Sequence, residues 1–63
     1  MINKYLVTYL IDGISKAEQV FARNEYKAIN KIYELENVSR AYVDMAIIRV
    51  ELWHNEKYYK VTL

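Results

Sequence analysis

Cysteine and proline are absent from this chain of 63 residues, and glycine and histidine each occur once. Each shortage excludes something. Without cysteine there is no disulfide staple, and with a single histidine there is no ordinary set of metal ligands. One glycine cannot build the glycine-rich loop that cradles a phosphate. No proline, low-complexity run or internal repeat divides the chain, so it reads as one domain spanning residues 1–63. Charge of one sign is also missing: nine basic against eight acidic residues leave a net charge of +1, without the basic excess of a protein whose affinity comes from phosphate neutralisation. No apolar stretch approaches the roughly 20 residues of a membrane helix. The run from Tyr5 to Ile11 is at the minimum length for a signal-peptide core, contains Thr8 and stops at Asp12-Gly13, so it reads as a strand. The Asn37-Val38-Ser39 sequon therefore carries no expectation of glycosylation. The lack of cysteine suits a reducing compartment, and the location expected is cytoplasmic.

What remains is apolar and aromatic. Hydrophobic residues make up 54% of the chain and include seven tyrosines and one tryptophan, against a usual apolar share of about 45 to 50%. A chain this short buries only about 60% of the surface its unfolded form exposes. A core of this size rarely supplies more than about 3 to 5 kcal/mol unless something staples it. With disulfides and metals excluded, self-association is the staple left. The abundance of isoleucine, lysine, asparagine and tyrosine suggests an AT-rich coding source such as a low-GC bacterium or its phage.

The stretch VELWHNEKYYKV, residues 50–61, belongs to the best-specified element. From Ala46 to His54 the side chains alternate, with Ala46, Ile48, Val50 and Leu52 on one face and Ile47, Arg49, Glu51 and Trp53 on the other. A two-residue turn at Asn55-Glu56 pairs Leu52 with Tyr59, Val50 with Val61 and Ile48 with Leu63 inside. Outside it pairs Trp53 with Tyr58, Glu51 with Lys60 and Arg49 with Thr62. Apolar meets apolar, aromatic meets aromatic and carboxylate meets ammonium, each pair contributing about 0.2 to 1 kcal/mol. Glu56 is a poor second residue for a type I′ turn; a four-residue loop, His54 to Lys57, would preserve the same pairs.

The Asp12-Gly13 turn marks a second hairpin. A two-residue loop sets Tyr5 against Val20 and Val7 against Glu18. A four-residue loop sets Val7 against Val20 and Leu6 against Phe21, and is the one favoured. Neither face of the first strand is cleanly polar, since Tyr5, Val7, Tyr9 and Ile11 share one side and Leu6 and Leu10 the other, a pattern usual in a strand covered on both sides. Between the hairpins Asn24 is a good N-cap, Glu25 complements the helix dipole, and Ala28, Ile29, Ile32, Tyr33 and Leu35 recur at helical spacing. Asn37 suits a left-handed helix end. Residues 38–45 read either as a loop with a bulge near Asp44 or as a short helix capped by Ser39.

The spacing thus predicts strands over residues 3–11, 16–23, 46–54 and 57–63 and a helix over 25–36. That is an α+β domain of order ββαββ, whose four-stranded, mostly antiparallel sheet has one helix packed on one face. The other face stays bare and is expected to carry Ile47, Trp53, Tyr58 and one side of the first hairpin.

No catalytic constellation emerges. His54, Lys57 and Tyr58 form at most a solvated group at a hairpin end, because acid/base chemistry needs partners held together in a pocket. Ser15, Ser39, His54, Asp12 and Asp44 include the residue types of a hydrolytic triad without a nucleophile-elbow context. No enzyme activity, cofactor or metal is expected. Trp53 and Tyr58 with Arg49, Lys57 and Lys60 resemble the stacking platforms of single-strand nucleic-acid binders, although Glu51 and Glu56 sit among the cations. The reading preferred is a protein-binding module that first associates with itself, through sheet faces or edge strands, and then engages another protein. Its candidate interface comprises Ile47, Arg49, Glu51, Trp53, His54, Lys57, Tyr58, Lys60, Tyr5 and Tyr9, rich in the residue types enriched at hot spots. In size and composition such a chain resembles the small accessory or inhibitor proteins encoded by phages and mobile elements. The plainest alternative is a stable domain whose aromatics merely pack.

Overall fold

The computed structural model describes residues 1–36 and 45–62. Strands β1 (Asn3–Ile11) and β2 (Ile14–Ala22) are followed by helix α1 (Glu25–Leu35) and strands β3 (Met45–His54) and β4 (Lys57–Lys60). The strands form a single antiparallel sheet in the order β2-β1-β3-β4, a small α+β architecture.

Both hairpins close through two-residue turns. Asp12 and Gly13 have φ of 50° and 79°, and Asn55 and Glu56 have φ of 50° and 63°, the paired left-handed residues of type I′ geometry. The first hairpin therefore takes the register Tyr5↔Val20 and Val7↔Glu18, correcting the preference for a four-residue loop. The tight turn keeps Ile11↔Ile14 and Leu10↔Ser15 in the ladder, and β2 starts at Ile14 instead of residue 16. In the second hairpin Glu51↔Lys60, Leu52↔Tyr59 and Trp53↔Tyr58 pair as the sequence pattern required. The Val61 N–H continues the ladder to the Val50 carbonyl at 2.9 Å. Glu56 adopts the left-handed conformation despite its side chain.

One irregularity reorganises β3. Thr8 faces Arg49, but Tyr9 faces Ile47, so Ile48 is the extra residue of a β-bulge. The bulge resets the side-chain phase: Val50 and Leu52 turn toward the core on one side of it, and Ile47 and Met45 on the other. Strict alternation had assigned Ala46 and Ile48 to the inner face. Instead Ile47 packs against the core and Ile48 is 50% exposed.

Helix α1 lies against β1 and β2. Asn24, at φ −154°, accepts the Lys27 N–H through its side chain at 2.9 Å, a cap that stabilises a helix by about 1 kcal/mol. Lys27, Asn30, Lys31 and Glu34 point outward. Ala28 and Ile32 are buried and join Tyr5, Val7, Tyr9, Ala22 and Val50 in the core. Leu35, on the same apolar stripe, stays exposed at the final turn. The helix ends as the Glu36 N–H bonds the Ile32 carbonyl at 3.0 Å. The readings of Asn37 as a helix terminator and of Leu63 as a partner for Ile48 lie outside the described residues, as does that of residues 38–45 as a loop with a bulge near Asp44 or a short helix capped by Ser39, except for Met45, which begins β3.

Candidate functional site

The sheet face turned away from α1 follows from the two registers. Lys4 lies opposite Phe21, Leu6 lies between Gln19 and Glu51, and Thr8 between Ala17 and Arg49. Next to these rows, Trp53 faces Tyr58 and Glu51 faces Lys60. The Trp53 and Tyr58 rings meet edge to face, with centroids 4.8 Å apart and planes at 63°, a geometry favoured by the ring quadrupoles. The Lys4 ammonium sits 4.8 Å from the Trp53 ring centroid, within cation–π range. Gln19 donates a side-chain N–H to the Tyr58 hydroxyl at 2.9 Å, a bond running from one edge strand to the other across the bare face. The Arg49 Nε pairs with Glu51 Oε1 at 3.0 Å, an exposed pair of the kind that contributes at most about 1 kcal/mol.

The result is an aromatic patch framed by polar groups. Trp53 is 38% exposed and Phe21 58% exposed. Leu6 and Tyr58 are half-buried beside them. A single chain leaves this surface partly wet and held in shape by its own hydrogen bonds.

The structure separates the ten candidate interface residues into three groups. Arg49, Glu51, Trp53, Tyr58 and Lys60 share the bare face. His54 and Lys57 pair with each other at the turn, in the phase of Leu52 and Tyr59, and so belong to the opposite side of the sheet from Trp53 and Tyr58. The His54 ring lies 6.3 Å from that of Tyr59, and the His54–Lys57–Tyr58 group is therefore not assembled. Tyr5, Tyr9 and Ile47 are corrections. Tyr5 is 3% exposed and Tyr9 is fully buried beneath the helix, because β1 directs its Tyr5-Val7-Tyr9 side toward α1. Ile47 follows them inward through the bulge. Lys4, Leu6, Gln19 and Phe21 are further members of this face; both loop readings of the Asp12-Gly13 turn put them on one side of the hairpin, and what the sequence does not mark is that α1 covers the other.

On the covered side a second polar link crosses the fold. The Tyr9 hydroxyl donates to Glu36 Oε2, and the Lys16 Nζ reaches the same oxygen at 3.2 Å. Burial, followed by the hydrogen bond to Glu36 and the nearby Glu36 and Glu18 charges, raises the Tyr9 pKa well above its usual value. The Tyr9 hydrogen bond lowers the Glu36 pKa, with Lys16 acting in the same direction against partial desolvation. This triad ties the end of α1 to the first hairpin.

A shallow cleft of about 250 Å³ opens beside the bulge, and its polar side chains are those of Arg49, Lys60 and Thr62, with no carboxylate or imidazole. Asp12 and His54 sit at opposite ends of the sheet. Among the described residues no three His, Asp or Glu side chains converge as metal ligands, and no helix is long and apolar enough to cross a membrane. Comparisons with protein-family models, with curated proteins and with solved structures gave no significant match, so the chemistry of this surface is read from its residues alone.

Proposed function

We propose that this protein is a small protein-interaction module whose working surface is the bare sheet face around Phe21, Lys4, Trp53 and Tyr58. The observation that carries the reading is a tryptophan–tyrosine pair, braced by Lys4 and Gln19, on a face that α1 does not cover. Rigid aromatics ringed by arginine, lysine and glutamate match the composition of protein–protein hot spots, where a dry centre is surrounded by a polar rim. The face is too polar at Arg49, Glu51 and Lys60 for a greasy sheet-on-sheet sandwich, which favours a partner with its own complementary charges. An accessory or inhibitor role, exerted in the cytoplasm by occupying another protein, fits a chain of 63 residues whose exposed aromatics gather on one uncovered sheet face.

The nucleic-acid reading draws on the same aromatics. Against it, the Lys4 ammonium already covers a face of Trp53 on which a base would stack, and Arg49 is engaged by Glu51. The test compares affinity capture from the source cells using wild type, the open-face variant Phe21→Ser/Trp53→Ala, and the helix-surface variant Lys27→Glu. A specific protein retained by wild type and Lys27→Glu but lost by the open-face variant is the expected result. Equal loss from both variants, or tight binding of labelled oligonucleotides at about 50 mM salt, where electrostatic affinity is strongest, overturns the proposal.

A further inference from the structure

A different surface, the outer edge of β2, bears on self-association. In a type I′ hairpin the pair flanking the turn, Ile11↔Ile14, exchanges both backbone hydrogen bonds, and bonded and non-bonded pairs alternate from there. The amides of Ile14, Lys16, Glu18 and Val20 are thereby directed at β1, and those of Ser15, Ala17, Gln19 and Phe21 point out of the sheet. Two contacts agree with this phase. Lys31 Nζ donates to the outward Phe21 carbonyl, and the same alternation in the second hairpin accounts for the bond from the Val61 N–H to the Val50 carbonyl.

Natural edge strands are normally blunted by shortness, lysine, proline or a bulge. β4 follows that rule, being four residues long and bounded by Lys57 and Lys60. β2 is blunted less: it has nine residues, pairs with β1 without interruption and contains no proline or glycine, and its one lysine, Lys16, reaches across to Glu36 Oε2 at 3.2 Å. Among the described residues, Lys31 guards its Phe21 end alone. The open part, Ile14-Ser15-Lys16-Ala17-Glu18-Gln19-Val20, is its own antiparallel complement. Folded back about Ala17, it sets Lys16 opposite Glu18, Ser15 opposite Gln19 and Ile14 opposite Val20. Moving the axis one residue either way would place Lys16 or Glu18 opposite itself, and like charges in facing positions are destabilising.

We propose that β2 pairs antiparallel with β2 of a second copy about a two-fold axis at Ala17, joining the two sheets into one. In this register the outward N–H groups of Ser15, Ala17 and Gln19 donate to the outward carbonyls of Gln19, Ala17 and Ser15 of the partner subunit. On the helix-covered side Lys16 of each copy faces Glu18 of the other, adding a second carboxylate to the Glu36 that its ammonium already reaches at 3.2 Å. Ile14, 61% exposed in the single chain, packs against Val20 of the partner subunit. At the axis the only side chain that confronts its own copy is the small, uncharged methyl of Ala17. The association is isologous and closed, and it leaves both open faces free.

Sedimentation velocity of the full chain, from about 5 to about 200 micromolar, tests this directly. Wild type is expected to shift from 7.6 kDa to twice that mass. Ala17→Pro removes an outward N–H without touching the β1 ladder and is expected to stay monomeric with a wild-type circular dichroism spectrum. Should that variant fail to fold, Lys16→Glu and Glu18→Lys supply the answer. Each alone places like charges in both facing positions and is expected to weaken dimerisation about tenfold or more, while an equimolar mixture of the two restores complementary pairs and a heterodimer. A wild-type chain that remains monomeric throughout, a folded Ala17→Pro variant that still dimerises, or charge variants that self-associate as well as wild type overturns the proposal. Failure here leaves capture by the open face intact, and capture that survives in the Phe21→Ser/Trp53→Ala variant leaves the β2 dimer intact, so the two readings fall separately.

Discussion

Replacing Ile32 by alanine probes what holds the helix to the sheet. Ala28 and Ile32 are the buried residues of α1, and of the two only Ile32 is a large side chain. An eleven-residue helix is marginal in water on its own, so its existence depends on that contact. Truncating a fully buried isoleucine to alanine costs about 2 to 5 kcal/mol, combining lost transfer energy with a residual cavity. Taking about 3 kcal/mol against a total of about 4 leaves about 1 kcal/mol, which corresponds to roughly 15% unfolded chain at 25 °C. With a urea slope of about 1 kcal/mol per molar, the unfolding midpoint falls by about 3 M. The assay is urea denaturation followed by far-UV circular dichroism and Trp53 fluorescence, at low micromolar concentration so that association adds nothing. Leu35→Ala, at the exposed end of the helix, is the control and is expected to stay within about 0.5 kcal/mol of wild type. A midpoint shift for Ile32→Ala no larger than that of Leu35→Ala would refute the assignment of Ile32 as the anchor.

Three further outcomes follow from the same geometry. The raised pKa of Tyr9 means its stabilising contribution is present below about pH 10 and is lost as the pH climbs toward the folded-state value; the lowered pKa of Glu36 means its contribution is present above the ordinary carboxylate pKa and is lost on acidification. Melting temperature against pH should therefore show a plateau near neutrality that falls at both ends, and Tyr9→Phe should flatten the alkaline limb relative to wild type; superimposable alkaline limbs contradict the triad. Glu56→Gly relieves a non-glycine residue at φ 63° and should raise stability by about 0.5 to 1 kcal/mol, read as a higher urea midpoint. Gly13→Ala should lower it by about 1 kcal/mol through the φ of 79° alone, since an added Cβ meets nothing within 4 Å; a neutral result would show that the turn relaxes.

The C-terminal hairpin was legible because three kinds of cross-strand pairing agreed on one register, so the awkward Glu56 was overruled by Glu51↔Lys60, Leu52↔Tyr59 and Trp53↔Tyr58 together. The helix was legible through Asn24 and the spacing of Ala28 and Ile32. The first hairpin misled because Val7 opposite Val20 looks better locally than Val7 opposite Glu18; what decides is the turn, where Asp12 and Gly13 both reach the left-handed region at low cost. Since β1 is apolar on both sides, nothing local marked Tyr5 and Tyr9 as the side α1 covers. The pairing of Tyr9 with Glu36 spans 27 positions in the chain and leaves no periodic trace. The bare face is legible through Trp53 and Tyr58, but its Lys4, Gln19 and Phe21 half depends on which side of β1 the helix covers, since either loop register leaves those residues on the same side.

Ile47 and Ile48 are adjacent and chemically identical, yet the unpaired position between Thr8 and Tyr9 gives them opposite fates. Serine at codon 47 would wound the interior, whereas serine at codon 48 would merely wet the exterior. Excising codon 48 altogether would leave Arg49 facing Thr8 and Ile47 facing Tyr9 in unbroken succession, so a lineage of this protein could lose that amino acid and keep every neighbouring contact in place.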